Sequence, residues 1–209
     1  MPTQRVNCCR LLGNFLMIKK NTVIFGGSFD PIHVGHMSLA AEVLGHGIAE
    51  EVWFMVSPQN PHKQNSRLSS EKRRLDMVRL AIEGHEGFVA CDFEFFLPRP
   101  SYTINTLDAL SEHYPDRNFI LLIGADNWSC FDRWYKSGEI LDRYGIVVYP
   151  RGNEERLELP ANVVWLQSRL YDVSSTMVRN AVSEGRSISG YVAPAVEQYI
   201  FENNLYTDL

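Results

Sequence analysis

The sequence has no C-x-x-C pair and no compact His/Cys cluster, so its four cysteines, at positions 8, 9, 91 and 130, do not compose a zinc site. They read as free thiols in a reducing compartment. A long apolar run is also missing. Leu11 to Ile18 is interrupted by Gly13 and Asn14 and falls far short of the roughly 20 residues a membrane-spanning helix needs. A secretory signal fits poorly, because Arg5 and Arg10 lie upstream but Lys19 and Lys20 stand where a small-residue cleavage site belongs. Residues 1–20 are therefore expected to be an N-terminal extension, with Met17 an alternative start, and residues 21–209 a single domain. The cytoplasm is the default location. Positive charge is scarce: 20 Lys and Arg stand against 25 Asp and Glu, a net of -5, which argues against nucleic acid or a membrane surface as partner. Small anions stay open, since a pocket can concentrate charge locally. A homo-oligomer stays open too. No repeat or low-complexity tract is visible, and 45% apolar residues suffice for a sizeable core.

Strand and helix signals alternate along the rest. Thr22–Phe25 is a short β-branched and aromatic run ending in Gly26–Gly27, the punctuation of a buried strand entering a tight turn. Val34–Leu44 predicts a helix, with Pro31 near its start and Gly45 and Gly47 near its end. Val52–Val56 predicts a second strand, which makes a parallel crossover. Ser69 or Ser70 caps the next helix; Leu75, Val78, Ala81 and Ile82 form its buried face, and Lys72, Arg73, Arg74 and Arg79 its wet side. Phe88–Phe96 suggests a strand, Tyr102–His113 a helix, and Phe119–Ile123 a strongly apolar strand ending in Gly124-Ala125-Asp126. Apolar segments at Ile140–Tyr144, Ile146–Tyr149 and Val163–Leu166 follow, then helices near Ser175–Ser183 and Pro194–Asn203. The expected fold is α/β, a doubly wound, mostly parallel sheet with a short C-terminal helical part.

Chemistry concentrates where the first strand meets the first helix, at Gly26-Gly27-Ser28-Phe29-Asp30-Pro31-Ile32-His33-Val34-Gly35-His36. Ligands of open α/β sheets bind beyond the carboxyl ends of strands, and a helix N-terminus offers N–H groups and a positive dipole end to phosphate. His33 and His36, three apart, can face one anion. Two such histidines alone are more often incidental; a strand and glycine turn directly before them reverse the odds. Without an anion, Gly26 and Gly27 would permit the turn and Asp30 would cap the helix.

This G-S-F-D-P-x-H-x-G-H segment resembles the signature of the nucleotidyltransferase α/β-phosphodiesterase superfamily, which implies a Rossmann-like fold and contact of His33 and His36 with a nucleotide triphosphate. Val173-Ser174-Ser175-Thr176-Met177-Val178-Arg179 by itself reads as a helix cap, but beside the first motif it resembles the family's I-S-S-T-x-I-R, implying that Ser174, Ser175, Thr176 and Arg179 hold ATP phosphates together with Gly26, Gly27, Ser28 and Phe29. Arg179 then clamps the pyrophosphate that leaves.

Pro61-His62-Lys63, Ser101-Tyr102-Thr103-Ile104-Asn105-Thr106-Leu107, Gly124-Ala125-Asp126 followed by Trp134, and the stretch from Tyr191 to Tyr206 narrow the resemblance to bacterial nicotinate-nucleotide adenylyltransferases. The implied reaction joins the AMP part of ATP to nicotinate mononucleotide, with Mg²⁺ accompanying ATP and no metal-binding residues in the chain. Lys63, Tyr102, Thr103, Asn105, Trp134 and Tyr135 are the implied acceptor residues. Trp134 can stack on the pyridine ring, and N–H groups around Thr103 and Tyr135 can take its carboxylate. Trp134 as core packing, Tyr135 as a surface aromatic and Lys63 as a solvated loop lysine are the plainer readings. Asp126 suits a ribose or a metal, or is a strand-end cap. Three departures from the family pattern touch the pocket details: Asn105 in place of aspartate, Arg99-Pro100 before Ser101 in place of glycine, and Tyr149-Pro150-Arg151-Gly152 in place of Arg-Pro-Gly. Rival readings are an adenylyltransferase for nicotinamide mononucleotide or phosphopantetheine, an aminoacyl-tRNA synthetase fragment, and a non-catalytic nucleotide-binding module.

Overall fold

The computed structural model of the chain describes residues 19–58, 68–150, 159–169 and 171–207. Of the expected extension, residues 1–20, the first 18, with Met17, Cys8 and Cys9, lie outside them, as do Lys63 and most of the loop after Pro150; Lys20 already belongs to the first strand.

Six strands, all parallel, form one sheet in the order β3-β2-β1-β4-β5-β6. They are β1 (Lys20–Gly27), β2 (Glu51–Val56), β3 (Phe88–Cys91), β4 (Arg117–Gly124), β5 (Gly145–Tyr149) and β6 (Val163–Trp165). Period-two side-chain alternation splits the core into two layers. Val23, Phe25, Val52, Phe54, Val147 and Tyr149 face one side; Ile24, Trp53, Met55, Leu121, Ile146 and Val148 face the other. Helices α1 (Val34–Gly45), α2 (Glu71–Ile82), α6 (Ser175–Ser183) and α7 (Pro194–Glu202) supply the first layer, while α3 (Thr103–His113), the one-turn α4 (Ala125–Trp128) and α5 (Ser137–Arg143) supply the second. Strand order reverses between β1 and β4, and a doubly wound sheet opens its ligand crevice at that switch point.

Three expectations change. The segment Phe88–Phe96 is not one strand: pairing with β2 ends at Cys91, and Phe93–Phe96 winds into a 3₁₀ turn. Gly26 and Gly27 are the last two residues of β1, still paired with Met55 and Val56, so the turn starts at Ser28 and its left-handed residue is Phe29, φ 48°. Arg74 is not on the wet side of α2. It is fully buried, because it sits one turn before Val78 on the inward face and its guanidinium meets three backbone carbonyls.

Candidate active site

The loop between β1 and α1 is built from the inside out. Phe29 and Ile32 are buried anchors, and the Phe29 ring packs edge-on against Phe25, Phe54 and His36, 5.0 Å from the last. A methyl on Gly27 would lie 3.0 Å from the Phe29 ring, so glycine is what lets the loop fold back on its own strand. His33, with extended backbone, is the residue before α1; Asp30 does not cap the helix. The His33 N–H donates to His36 Nδ1 at 3.2 Å, and the two imidazoles stack at 3.7 Å. With Nδ1 accepting, a neutral His36 carries its proton on Nε2, a donor on the other side of the ring. Gly35 makes the stacking possible, since a methyl there would come within 3.1 Å of both the His33 ring and Val173.

Across the crevice, Ser174 caps α6 by accepting from the Met177 N–H at 3.2 Å, as a plain cap reading expects. Ser175 Oγ donates to the Pro31 carbonyl at 2.9 Å. Arg179 Nη1 donates to the Asp30 carbonyl at 2.8 Å and Nη2 to Thr176 Oγ1 at 3.2 Å. The two motifs, far apart in sequence, are therefore hydrogen-bonded to one another. They close a cavity of about 510 Å³ whose lining includes Gly26, Gly27, Ser28, Phe29, His33, His36, Ser174, Ser175, Thr176 and Arg179. Tyr149, the first residue of the departure at 149–152, also lines it, as do Arg169 and Tyr171, which no sequence signal singled out. Of the predicted ATP-side residues only Asp126 stands apart, exposed on the first turn of α4.

A second cavity, about 240 Å³, lies on the other side of β1 and is lined by Met55, Ser57, Glu94, Thr103, Thr106 and Trp134, among others. Gly26 and Tyr149 belong to both cavities. Thr103 and Trp134 are thus brought together, with Trp134 half-buried against Phe131 at 5.4 Å. Tyr102 and Tyr135 pair their rings at 4.6 Å in exposed positions, and Asn105 is exposed on α3; none of the three lines the cavity. Glu94, missed in the sequence because it hides in an aromatic run, turns its carboxylate inward to accept from Thr106 Oγ1 at 2.9 Å. Burial pushes its carboxyl above the ordinary range, against the pull of the Thr106 and Ser57 hydroxyls.

Beneath the loop lies a buried polar layer. Arg74 donates to the carbonyls of Ser28 (2.6 Å), Ser57 (2.9 Å) and Ser69 (3.0 Å). Burial pushes its guanidinium down, while the Asp30 charge supports it. Asp30, fully buried, accepts from Tyr206 Oη at 2.7 Å and from the Ser69 N–H at 3.2 Å.

Comparison with known proteins fits this geometry. A family model described as cytidylyltransferase-like matches residues 24–181, which hold both motifs. The chain is 46% identical over 188 residues to the "Probable nicotinate-nucleotide adenylyltransferase" of Bacteroides fragilis (strain YCH46), covering 89% of this chain and 94% of that one. A relative of the same name from Bacteroides thetaiotaomicron is 45% identical, covering 88% and 92%. The solved structure of Plasmodium falciparum nicotinic acid mononucleotide adenylyltransferase shares the fold, with a TM-score of 0.74 over 90% of this chain and 97% of that chain at 20% identity. The matched span contains the switch-point cavity with its paired histidines and helix-borne arginine: the chain belongs to the cytidylyltransferase-like family, among its nicotinate-nucleotide adenylyltransferases.

Proposed function

We propose that the chain transfers the adenylyl group of ATP to nicotinate mononucleotide, a step of NAD biosynthesis. A phosphate oxygen of the mononucleotide attacks the α-phosphorus of ATP in line; the bond to the bridging oxygen breaks and pyrophosphate leaves with its electron pair, giving nicotinate adenine dinucleotide. The attacking group is already an anion near neutral pH, so no general base is needed and rate comes from positioning and charge stabilisation. One observation carries this reading: His36, Arg179 and the N-terminus of α6 converge on one cavity that shares Gly26 and Tyr149 with a second, smaller one.

On this reading the larger cavity takes ATP. His36 donates from Nε2 to a phosphate oxygen and His33, stacked on it, holds the ring in place while facing the same phosphates. The first-turn N–H groups of α6, with Ser174, Ser175 and Thr176, hold the phosphate chain, and Arg179 takes the charge that grows on pyrophosphate. Thr103 and Trp134 receive the pyridine in the smaller cavity, with Tyr102, Asn105 and Tyr135 around its exposed side, Asp126 toward a ribose and Lys63 toward a phosphate. Among the described residues no group of three metal-ligating side chains occurs. Mg²⁺ would enter with ATP, and no step here is routed through it. Residues 21–209 act as one catalytic domain in the cytoplasm.

Pyrophosphate release measured with nicotinate mononucleotide, nicotinamide mononucleotide and phosphopantetheine tests the acceptor, with the first expected to be fastest. His36→Ala is expected to lower turnover by about 10²–10³-fold, as for loss of one charge-facing donor, with circular dichroism and Tm unchanged. Near-wild-type turnover in the folded variant overturns the assignment.

A further inference from the structure

The C-terminal segment reaches the site from beneath, and nothing in the reaction above uses it. After α7 the chain turns through Asn204 and Tyr206, both left-handed at φ 47° and 66°. Asparagine tolerates that region, but a bulky aromatic does so only where its surroundings hold it there. Phe29, beside Asp30, is the other aromatic in that conformation. Between them lies one short contact, Tyr206 Oη donating to Asp30 Oδ1 at 2.7 Å. Asp30 is fully buried and Tyr206 8% exposed, so this bond has no competing water. Burial and the Asp30 charge both push the Tyr206 hydroxyl up, which keeps it a donor.

What Asp30 touches on its other side is the phosphate end of the site. Its carbonyl accepts from Arg179, and the next carbonyl, that of Pro31, accepts from Ser175. The C-terminal part braces the same loop a second time, where the Val34 N–H, at the head of α1, donates to the Tyr191 carbonyl at 2.9 Å.

We propose that Tyr206 is a positioning residue for the reaction: through Asp30 it fixes the loop that carries His33 and His36 and the carbonyl that aims Arg179 at the phosphates. The proposal rests on adenylyl transfer as the reaction. Removing the hydroxyl leaves the buried Asp30 carboxylate with the Ser69 N–H as its other described donor. It then draws the loop out of register with Arg179.

The test is Tyr206→Phe in the full chain, which keeps the ring and its packing. The KM for ATP is expected to rise and kcat/KM for ATP to fall about tenfold, the usual scale for a hydrogen bond to a buried charge, while the KM for nicotinate mononucleotide stays within about twofold. A merely structural loss of folded enzyme lowers apparent kcat and leaves both KM values in place; that result overturns the proposal. In an Arg179→Ala background the same change is expected to have a smaller effect than in the wild type, because one of its two targets is gone; fully additive effects also overturn it. Leu205→Ala, in the adjoining core, serves as control: Tm falls and the KM for ATP does not move.

Should Tyr206→Phe fail to fold, hydrogen exchange of the wild-type protein with and without ATP decides. Protection gained together at residues 33–36 and 204–207 supports one device, and protection confined to 33–36 overturns it. Wild-type protein that binds ATP but releases no pyrophosphate with any acceptor removes the assigned reaction, while the exchange result still reports on the coupling.

Discussion

At Gly26 a methyl group would meet no protein atom within 4 Å, yet this residue lines both cavities. Gly26→Ala should therefore fold normally, with Tm unchanged or slightly raised by the stiffer unfolded chain, while turnover falls about 10²-fold because displacing reacting groups by an ångström costs that much. Gly35→Ala differs, since its methyl presses on the His33 ring and Val173; both Tm and turnover should fall, by calorimetry and pyrophosphate release. That the two histidines and Arg179 share one cavity was legible in sequence through the resemblance of their two motifs to the nucleotidyltransferase pattern. Arg74 and Asp30 were misread. A charged side chain reads as solvated until its partners are known, and the partners here are backbone carbonyls, an amide and a tyrosine 176 residues away, none with a sequence signature.

Elements were easier to read than their inward polar faces. The helical spacing that marked Leu75 and Val78 also puts Arg74 inside, one turn from Val78 and beside the cap Ser70. Arg74→Met should destabilise the protein by about 3 kcal/mol in urea titration, because three carbonyls lose a buried charged donor. At the opposite end of the sheet, Lys20 on β1, Glu51 on β2 and Arg117 on β4 meet. Burial pushes the Glu51 carboxyl up, but the Lys20 and Trp53 hydrogen bonds and the Arg117 charge outweigh it and hold it below its ordinary range. A depressed folded pKa adds stability above the unfolded value, about 4.3, and loses it as pH falls through the folded one. Glu51→Gln should thus lower Tm at pH 7, and the gap to wild type should narrow as pH falls below the unfolded value and through the lowered folded one. The strand at Phe88–Phe96 ends at Cys91, opposite Met55, and Phe93–Phe96 winds into a 3₁₀ turn instead. Apolar run length predicts burial; only pairing makes a strand.

For the molecule as a whole, the sheet buries one thiol. Cys91 is 8% exposed, and burial pushes its thiol up to about 11. At pH 8, iodoacetamide should leave Cys91 unlabelled in the native protein and reach it only along the urea unfolding curve, as read by peptide mass spectrometry; labelling at the rate of an exposed thiol would contradict the core described here. The net charge of -5, which set aside long polyanions, is compatible with phosphorylated substrates because cationic and N–H groups collect at the switch point. Alternating segments made that fold visible in sequence, but not the depth of the crevice, which depends on residues from β1, α1, β5, α6 and the loops between them. Gly26 and Tyr149 form a partition common to both cavities. On the function proposed above, each reactant is held by its own chamber before reaction; afterwards a single covalent molecule occupies both, and its two ends are retained together. Leaving requires both grips to loosen at once, so a pre-steady-state burst of pyrophosphate should precede a slower turnover set by departure of the dinucleotide.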